Sequence, residues 1–243
     1  MKDMACRSLL LKLERRGYLV LPPRKAPSVN HFRNRSISDI EHDSSIIAAS
    51  LSTIRPVKIS LVQTSADKAL FSCLLNRYHY LGYKGIVGEN LKYLVFGVDG
   101  RPLGCFLFGS AAWKTESRDN YIGWDSKTRQ QNLHYVTNNM RFLILPWVKV
   151  PHLASHILSQ VVRRISDDWQ VKYHHPIHLL ETFVDLSRFK GTCYQAANWL
   201  HVGRTKGRTR NDRNHCCSVP VKAVYLYPLQ REFRSILCKC RGQ

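Results

Sequence analysis

Acidic residues are scarce in this chain. Only 17 Asp and Glu stand against 37 Lys and Arg in 243 residues, a formal net charge of +20. That shortage excludes a chain that repels polyanions, and the cation excess raises their local concentration, so DNA or RNA is the expected partner. Long apolar runs are missing as well. The longest, Phe142–Val148, contains Pro146, which excludes a membrane span. Met1–Leu11 is basic and lacks a small-residue cleavage signal, which argues against a secretory leader. None of the eight cysteines has the Cys-x-x-Cys spacing of a zinc site. His215-Cys216-Cys217 and Cys238-Lys239-Cys240 therefore read as free thiols, and a reducing cytoplasm is the expected location.

What remains is an ordinary globular composition, 44% hydrophobic and 22% charged, enough for one sizeable α/β domain with a small appendage. The charge is uneven. Residues 1–35 carry a net +7 and residues 188–243 a net +10, leaving +3 between them. Residues 1–35 read as a basic arm: a helix over Cys6–Arg15 that presents Arg7 and Arg15, then Gly17, a short strand Tyr18–Leu21 and Pro22-Pro23. This is the ending of a winged-helix unit, and either DNA contact or packing would use it. A linker (36–56), a core (57–230) and a basic tail (231–243) follow.

The core is organised around residues 138–210. Arg141–Val148 reads as a buried strand, and Leu153–Trp169 as an amphipathic helix with Leu153, Ile157, Val161 and Ile165 on one face. Ile177–Val184 reads as a second buried strand and Cys193–Leu200 as a short helix. Strand, helix, strand implies a parallel crossover, with a crevice at the strands' carboxyl ends. Earlier, Ser65–Tyr80 is a helix with Ser65 as its cap, and Leu91–Val98 joins Pro102–Gly109 through an Asp99-Gly100 hairpin turn. Trp113–Trp124 is a polar loop, Ser126–Val136 a helix and Ala223–Leu229 the closing strand. The fold class is thus α/β (α+β), with a mixed central sheet resembling the N-acetyltransferase superfold and a small winged-helix-like fragment before it.

Glu181 and Asp185 fall on the same face of the second strand, among apolar neighbours. A carboxylate there is costly unless it is paired, protonated or metal-bound. Arg141 on the preceding strand is one partner for Glu181. The other reading makes Glu181 and Asp185 catalytic, with Asp119 completing a Mg²⁺ site. Tyr194 is the natural acid if the crevice transfers an acyl group, and also a natural core residue. His156, near the start of the long helix, reads first as a packed or capping residue and second as a base. The connection Val148–Leu153 has no glycine and contains Pro151, so it offers few backbone N–H groups to a pyrophosphate and disfavours coenzyme A. Lys149 in that connection can still meet a DNA phosphate. Residues 203–213 hold Arg204, Lys206, Arg208, Arg210 and Arg213 with two glycines, a composition suited to phosphate contact.

Four runs then carry a resemblance: IGW (Ile122–Trp124), NNMRFLILPWVKVPHLASHIL (Asn138–Leu158), LLETFVDLSRFKGTCYQAANW (Leu179–Trp199) and VGRTKGRTR (Val202–Arg210). In these the chain resembles DruA of the Druantia anti-phage system, a family whose relatives occur beside or fused to bacterial transposases. The resemblance implies a defence or mobile-element context, DNA as the polymer and other proteins of the same operon as partners. It implies no catalytic assignment. The expected function is a DNA-binding protein that cuts, joins or modifies DNA, the alternatives being a nucleic-acid-modifying acyltransferase and a metal-dependent nuclease or transposase.

Overall fold

The computed structural model describes residues 3–22, 36–207 and 219–239. The chain divides into two compact units, Met1–Arg35 and Ser36–Gln243. The first holds helix α1 (Asp3–Arg15). Gly17, at φ 75°, turns the chain out of it, and the Tyr18 N–H returns to the Leu13 carbonyl at 3.0 Å. Tyr18–Leu21 forms no strand, contrary to the sequence expectation. An extended run gains a ladder only from a partner, and here the Leu21 N–H is taken instead by the Glu14 carboxylate at 3.2 Å.

The second unit is built on a seven-stranded sheet of order β2-β3-β4-β5-β7-β9-β8, with a separate parallel pair of β1 (Ile47–Ala48) and β6 (Val148–Lys149). β2 (Lys58–Leu61) leads into α2 (Ser65–Tyr78). Its cap is Thr64, one residue before the expected Ser65, in a reciprocal capping box with Asp67. β3 (Asn90–Phe96) and β4 (Pro102–Ser110) make the expected hairpin, with Gly100 at φ 78° in its turn. Two short helices, α3 (Glu116–Ile122) and α4 (Ser126–Asn132), and a 3₁₀ turn (Leu133–Tyr135) then lead to β5 (Val136–Ile144).

β5 starts five residues before the expected Arg141, because Thr137, Asn138 and Asn139 pair with β4 on one side and β7 on the other despite their polarity. The long helix expected over Leu153–Trp169 is two, α5 (Leu153–Val162) and α6 (Ile165–Tyr173). Arg164 at the break donates to Asp168 from Nε at 2.7 Å and to the Ile59 carbonyl from Nη1 at 2.8 Å. β7 (Leu179–Asp185) follows, then α7 (Thr192–Ala196). That helix ends before Asn198, and the next residues form β8 (Leu200–Arg204), a strand where the sequence suggested a helix and then a loop. β9 (Lys222–Pro228) and α8 (Phe233–Leu237) close the chain.

Among the described residues, only β5 and β7 run parallel in the sheet; every other neighbouring pair is antiparallel. The mixed sheet with an early hairpin and a later crossover is the acetyltransferase-like arrangement expected. The larger core packs α2, α5 and α6 against the sheet through Phe71, Leu75, Ile157, Val161 and Trp169. A smaller core joins Ile122 and Trp124 to Leu179, Leu226 and Phe233. No helix among the described residues is long and apolar enough to cross a membrane.

Candidate functional site

β5 and β7 are bonded only from Val136↔Leu179 to Asn139↔Thr182. Beyond that point β5 stays with β4 and β7 stays with β9, so the two parallel strands fork. The fork opens a cavity of about 560 Å³. Its walls are the outer halves of β5 and β7, the end of α2 with the following turn (Tyr78–Leu81), and the segment from Phe189 to Tyr194. This volume lies in the range of ordinary ligand pockets.

At the crotch of the fork Tyr194 is buried, and its hydroxyl accepts from Asn139 Nδ2 at 3.1 Å. Thr182 Oγ1 donates to the Asn139 carbonyl at 3.1 Å. Burial raises the Tyr194 hydroxyl above its ordinary range, so it holds its proton. The Oδ1 atoms of Asn138 and Asn139, both residues of the cavity wall, have no hydrogen-bond partner. Arg141 spends its guanidinium on carbonyls, Nη1 on Met140 at 2.7 Å and Nε on Gly82 at 3.4 Å, and burial lowers its pKa. His79 accepts the Leu81 N–H at Nδ1, 3.2 Å away. Burial first, and the Arg141 charge second, bring its pKa down to about 4. Asp185 ends β7, with Oδ1 accepting from the Ser187 hydroxyl at 2.6 Å and its backbone N–H at 3.0 Å. The Ser187 hydroxyl is the main cause of a lowered Asp185 pKa.

Glu181 is in a different setting. It is 0% exposed, and its partner is Arg118, also 0% exposed, at 2.8 Å from Oε2. Oε1 accepts the Ala112 N–H at 2.7 Å. Arg118 Nη1 also donates to the Ala112 carbonyl at 2.7 Å, while Nε and Nη2 hold Asp119 Oδ1 at 2.9 and 2.8 Å. Trp124 Nε1 donates to the same oxygen at 3.0 Å, and Arg129 Nη1 reaches Asp119 Oδ2 at 3.3 Å. Burial pushes the Glu181 carboxyl up and the Arg118 charge pulls it back; at Arg118 the charges of Glu181 and Asp119 outweigh burial and raise the guanidinium. The expected Glu181–Arg141 pair is therefore corrected to Glu181–Arg118. Strand alternation sends Glu181 toward α3, whereas Arg141 lies on the cavity side among residues from Tyr78 to Leu81. Sequence reading placed Arg118 in a polar loop; a cation flanked by acids between Trp113 and Trp124 was its only trace.

The other candidates are dispersed. Glu181 and Asp119 meet through Arg118, while Asp185 stands at the cavity, and no group of three His, Cys, Asp or Glu among the described residues is placed to hold a metal ion. His156 lies on α5 with Nε2 2.9 Å from Gln160 Nε2, and burial lowers its pKa. It does not line the cavity. Lys149 is exposed on β6, Arg204 is exposed at the end of β8, and Arg15 is exposed on α1. Lys206 pairs with Glu116 at 2.5 Å on the surface. Arg208, Arg210, Arg213, Cys216, Cys217 and Cys240 lie outside the described residues, as does the side chain of Arg7.

The family described as "Druantia protein DruA" matches residues 13–216. No curated protein matches the chain. Solved structures similar to it include a spermidine N-acetyltransferase from Vibrio cholerae in complex with CoA and spermine (8% identity, 71% of this chain and 95% of that one, TM-score 0.48). Another is SpeG of Vibrio cholerae in complex with manganese ions (11% identity, 71% and 92%, TM-score 0.42). The cofactor expectation is corrected by this comparison. One of the similar structures holds CoA, against the expectation that disfavoured it. Mg²⁺ in turn loses two of its three expected ligands to the Arg118 network.

Proposed function

Because this chain belongs to the DruA family, we propose that it serves anti-phage defence as a DNA-contacting protein. The forked crevice is then the place where its ligand is held, and other proteins of the same system are its partners. One observation carries the reading: among the described residues, the crevice is lined by Arg141, Lys190 and Lys222 against the single carboxylate of Asp185, with Arg188 beside it. A concave site of that sign selects anions, in line with a whole-chain charge of +20. DNA affinity measured against salt tests this. Replacing Arg188 and Lys190, both exposed, by Ala should weaken binding about tenfold and lower the salt slope by about two. Affinity and slope equal to wild type would reject the crevice as the DNA-facing surface.

A second reading is acyl transfer to nucleic acid, favoured by the Tyr194 hydroxyl in the crevice wall. The residues fit coenzyme A in one respect: the unpartnered Oδ1 of Asn139, beside Tyr194, matches an amide N–H donor of its arm. That cofactor would supply an activated thioester. The protein's own part is to hold a proton on Tyr194, oriented by Asn139 and kept there by burial. Calorimetry with acetyl-CoA that records no heat at millimolar ligand would remove this reading.

A further inference from the structure

The lip of the crevice carries more uncovered apolar surface than a phosphate site needs. Tyr80 is 40% exposed and Phe189 49% exposed, with ring centroids 5.4 Å apart. Leu81 and Met140, on the same lip, are exposed too. The Arg188 guanidinium lies over the Tyr80 ring at 5.1 Å. Exposed hydrophobes scattered singly need no explanation, but four around one crevice mouth form a patch. Cations flank it, and below it the buried Asn139 Oδ1 has no hydrogen-bond partner.

Extending the DNA reading above, on which it rests, we propose that the crevice receives an unpaired nucleotide of a single strand. Its base stacks on Tyr80 and Phe189, and its backbone phosphates lie against Arg188 and Lys190. Every base has an apolar π-face, so aromatic rings interleaved with cations form a platform for single strands. A paired base within a duplex presents neither free face to such rings, so the patch discriminates against double-stranded DNA. Asn139 extends the match inward. Adenine, cytosine and guanine each offer exocyclic or ring N–H donors on the edge that unpairing exposes, the donor type this oxygen lacks. Asn139 is held for the task, since its Nδ2 is already engaged by Tyr194. Thymine has a single ring N–H, so thymine-only strands make the weakest ligand.

The test is fluorescence anisotropy of the full chain with a labelled 12-nucleotide single strand and with the same sequence as a duplex. A second strand carries 2-aminopurine, whose emission falls when it stacks. Wild type should bind the single strand at least tenfold tighter than the duplex and quench the probe. Tyr80→Ala with Phe189→Ala should abolish quenching and weaken single-strand binding tenfold or more. The salt slope and duplex binding should be unchanged, because no cation is lost. Phe189→Trp with Tyr80 intact should keep quenching at the wild-type level or above. Both rings are solvent-exposed, and a thermal melt matching wild type confirms folding of the double variant. The proposal is overturned if the aromatic variant binds and quenches like wild type, or if coenzyme A alone displaces the strand while 5′-AMP does not. If wild type binds neither form, the DNA reading fails. If it binds both equally and only Arg188 and Lys190 matter, that reading stands and the stacking site falls.

Discussion

At the scale of the residue, Arg118 decides whether Glu181 can be tolerated. A fully buried carboxylate survives only with its charge matched and its oxygens bonded, and Arg118 with the Ala112 N–H supplies both. Arg118→Ala should therefore lose about 3–5 kcal/mol in urea denaturation, by stranding a buried charge. The double change Arg118→Met with Glu181→Leu should recover part of that, since Glu181 is no longer stranded while Asp119 keeps only Arg129, Trp124 and the Thr115 N–H. Recovery absent from the double variant would show that the Glu181 charge does not set the cost, leaving it to packing and the lost Asp119 pair. His79 gives a pH signature of the opposite kind. Its pKa falls from 6.5 in the open chain to about 4 when folded. The stability it contributes is thus fully present above about pH 6.5 and is lost as pH falls toward 4. His79→Gln should flatten the stability profile across that window, read as the difference in denaturation midpoint between the two proteins.

At the scale of the element, the β4–β5 seam is set by Gly104. A Cβ there would collide with the Leu143 carbonyl oxygen across the strand pair. Gly104→Ala should cost about 1–3 kcal/mol in thermal or urea unfolding, because backbone must move to admit it. Elements such as this hairpin were legible in advance: the Asp99-Gly100 turn and the apolar runs on either side left little choice. The apolar face of α5 and α6 was legible too, but not the break between them, since Arg164 makes it through long-range bonds to Ile59 and within-helix bonds to Asp168. The start of β5 was hidden for a related reason. Thr137 and Asn139 are buried polar residues whose strand character comes from neighbours distant in sequence, Thr137 donating to the Gly109 carbonyl at 2.8 Å. At Glu181 the sequence announced a debt of charge but not its creditor, because a local pattern does not say which loop folds over a strand.

At the scale of the whole molecule, the charge of +20 acts before any crevice does. Attraction spread over many surface cations is non-specific, so wild-type affinity for duplex DNA should fall by about 10³-fold or more between 50 and 200 mM salt if six or more phosphates are contacted. A shallow slope in the same titration would mean that few of these cations meet the strand. Salt screens that general term, whereas contacts inside a crevice are screened less, so raising salt should sharpen whatever selectivity the fork has. The fork itself behaves like a clothes-peg. Its jaws, the far halves of β5 and β7, are each fastened to an outer neighbour and not to one another. Its spring is the short bonded stretch at the crotch, with Glu181 pinned from behind by Arg118. Widening the gap between the jaws would break no hydrogen bond joining one to the other, so the spring would stay intact.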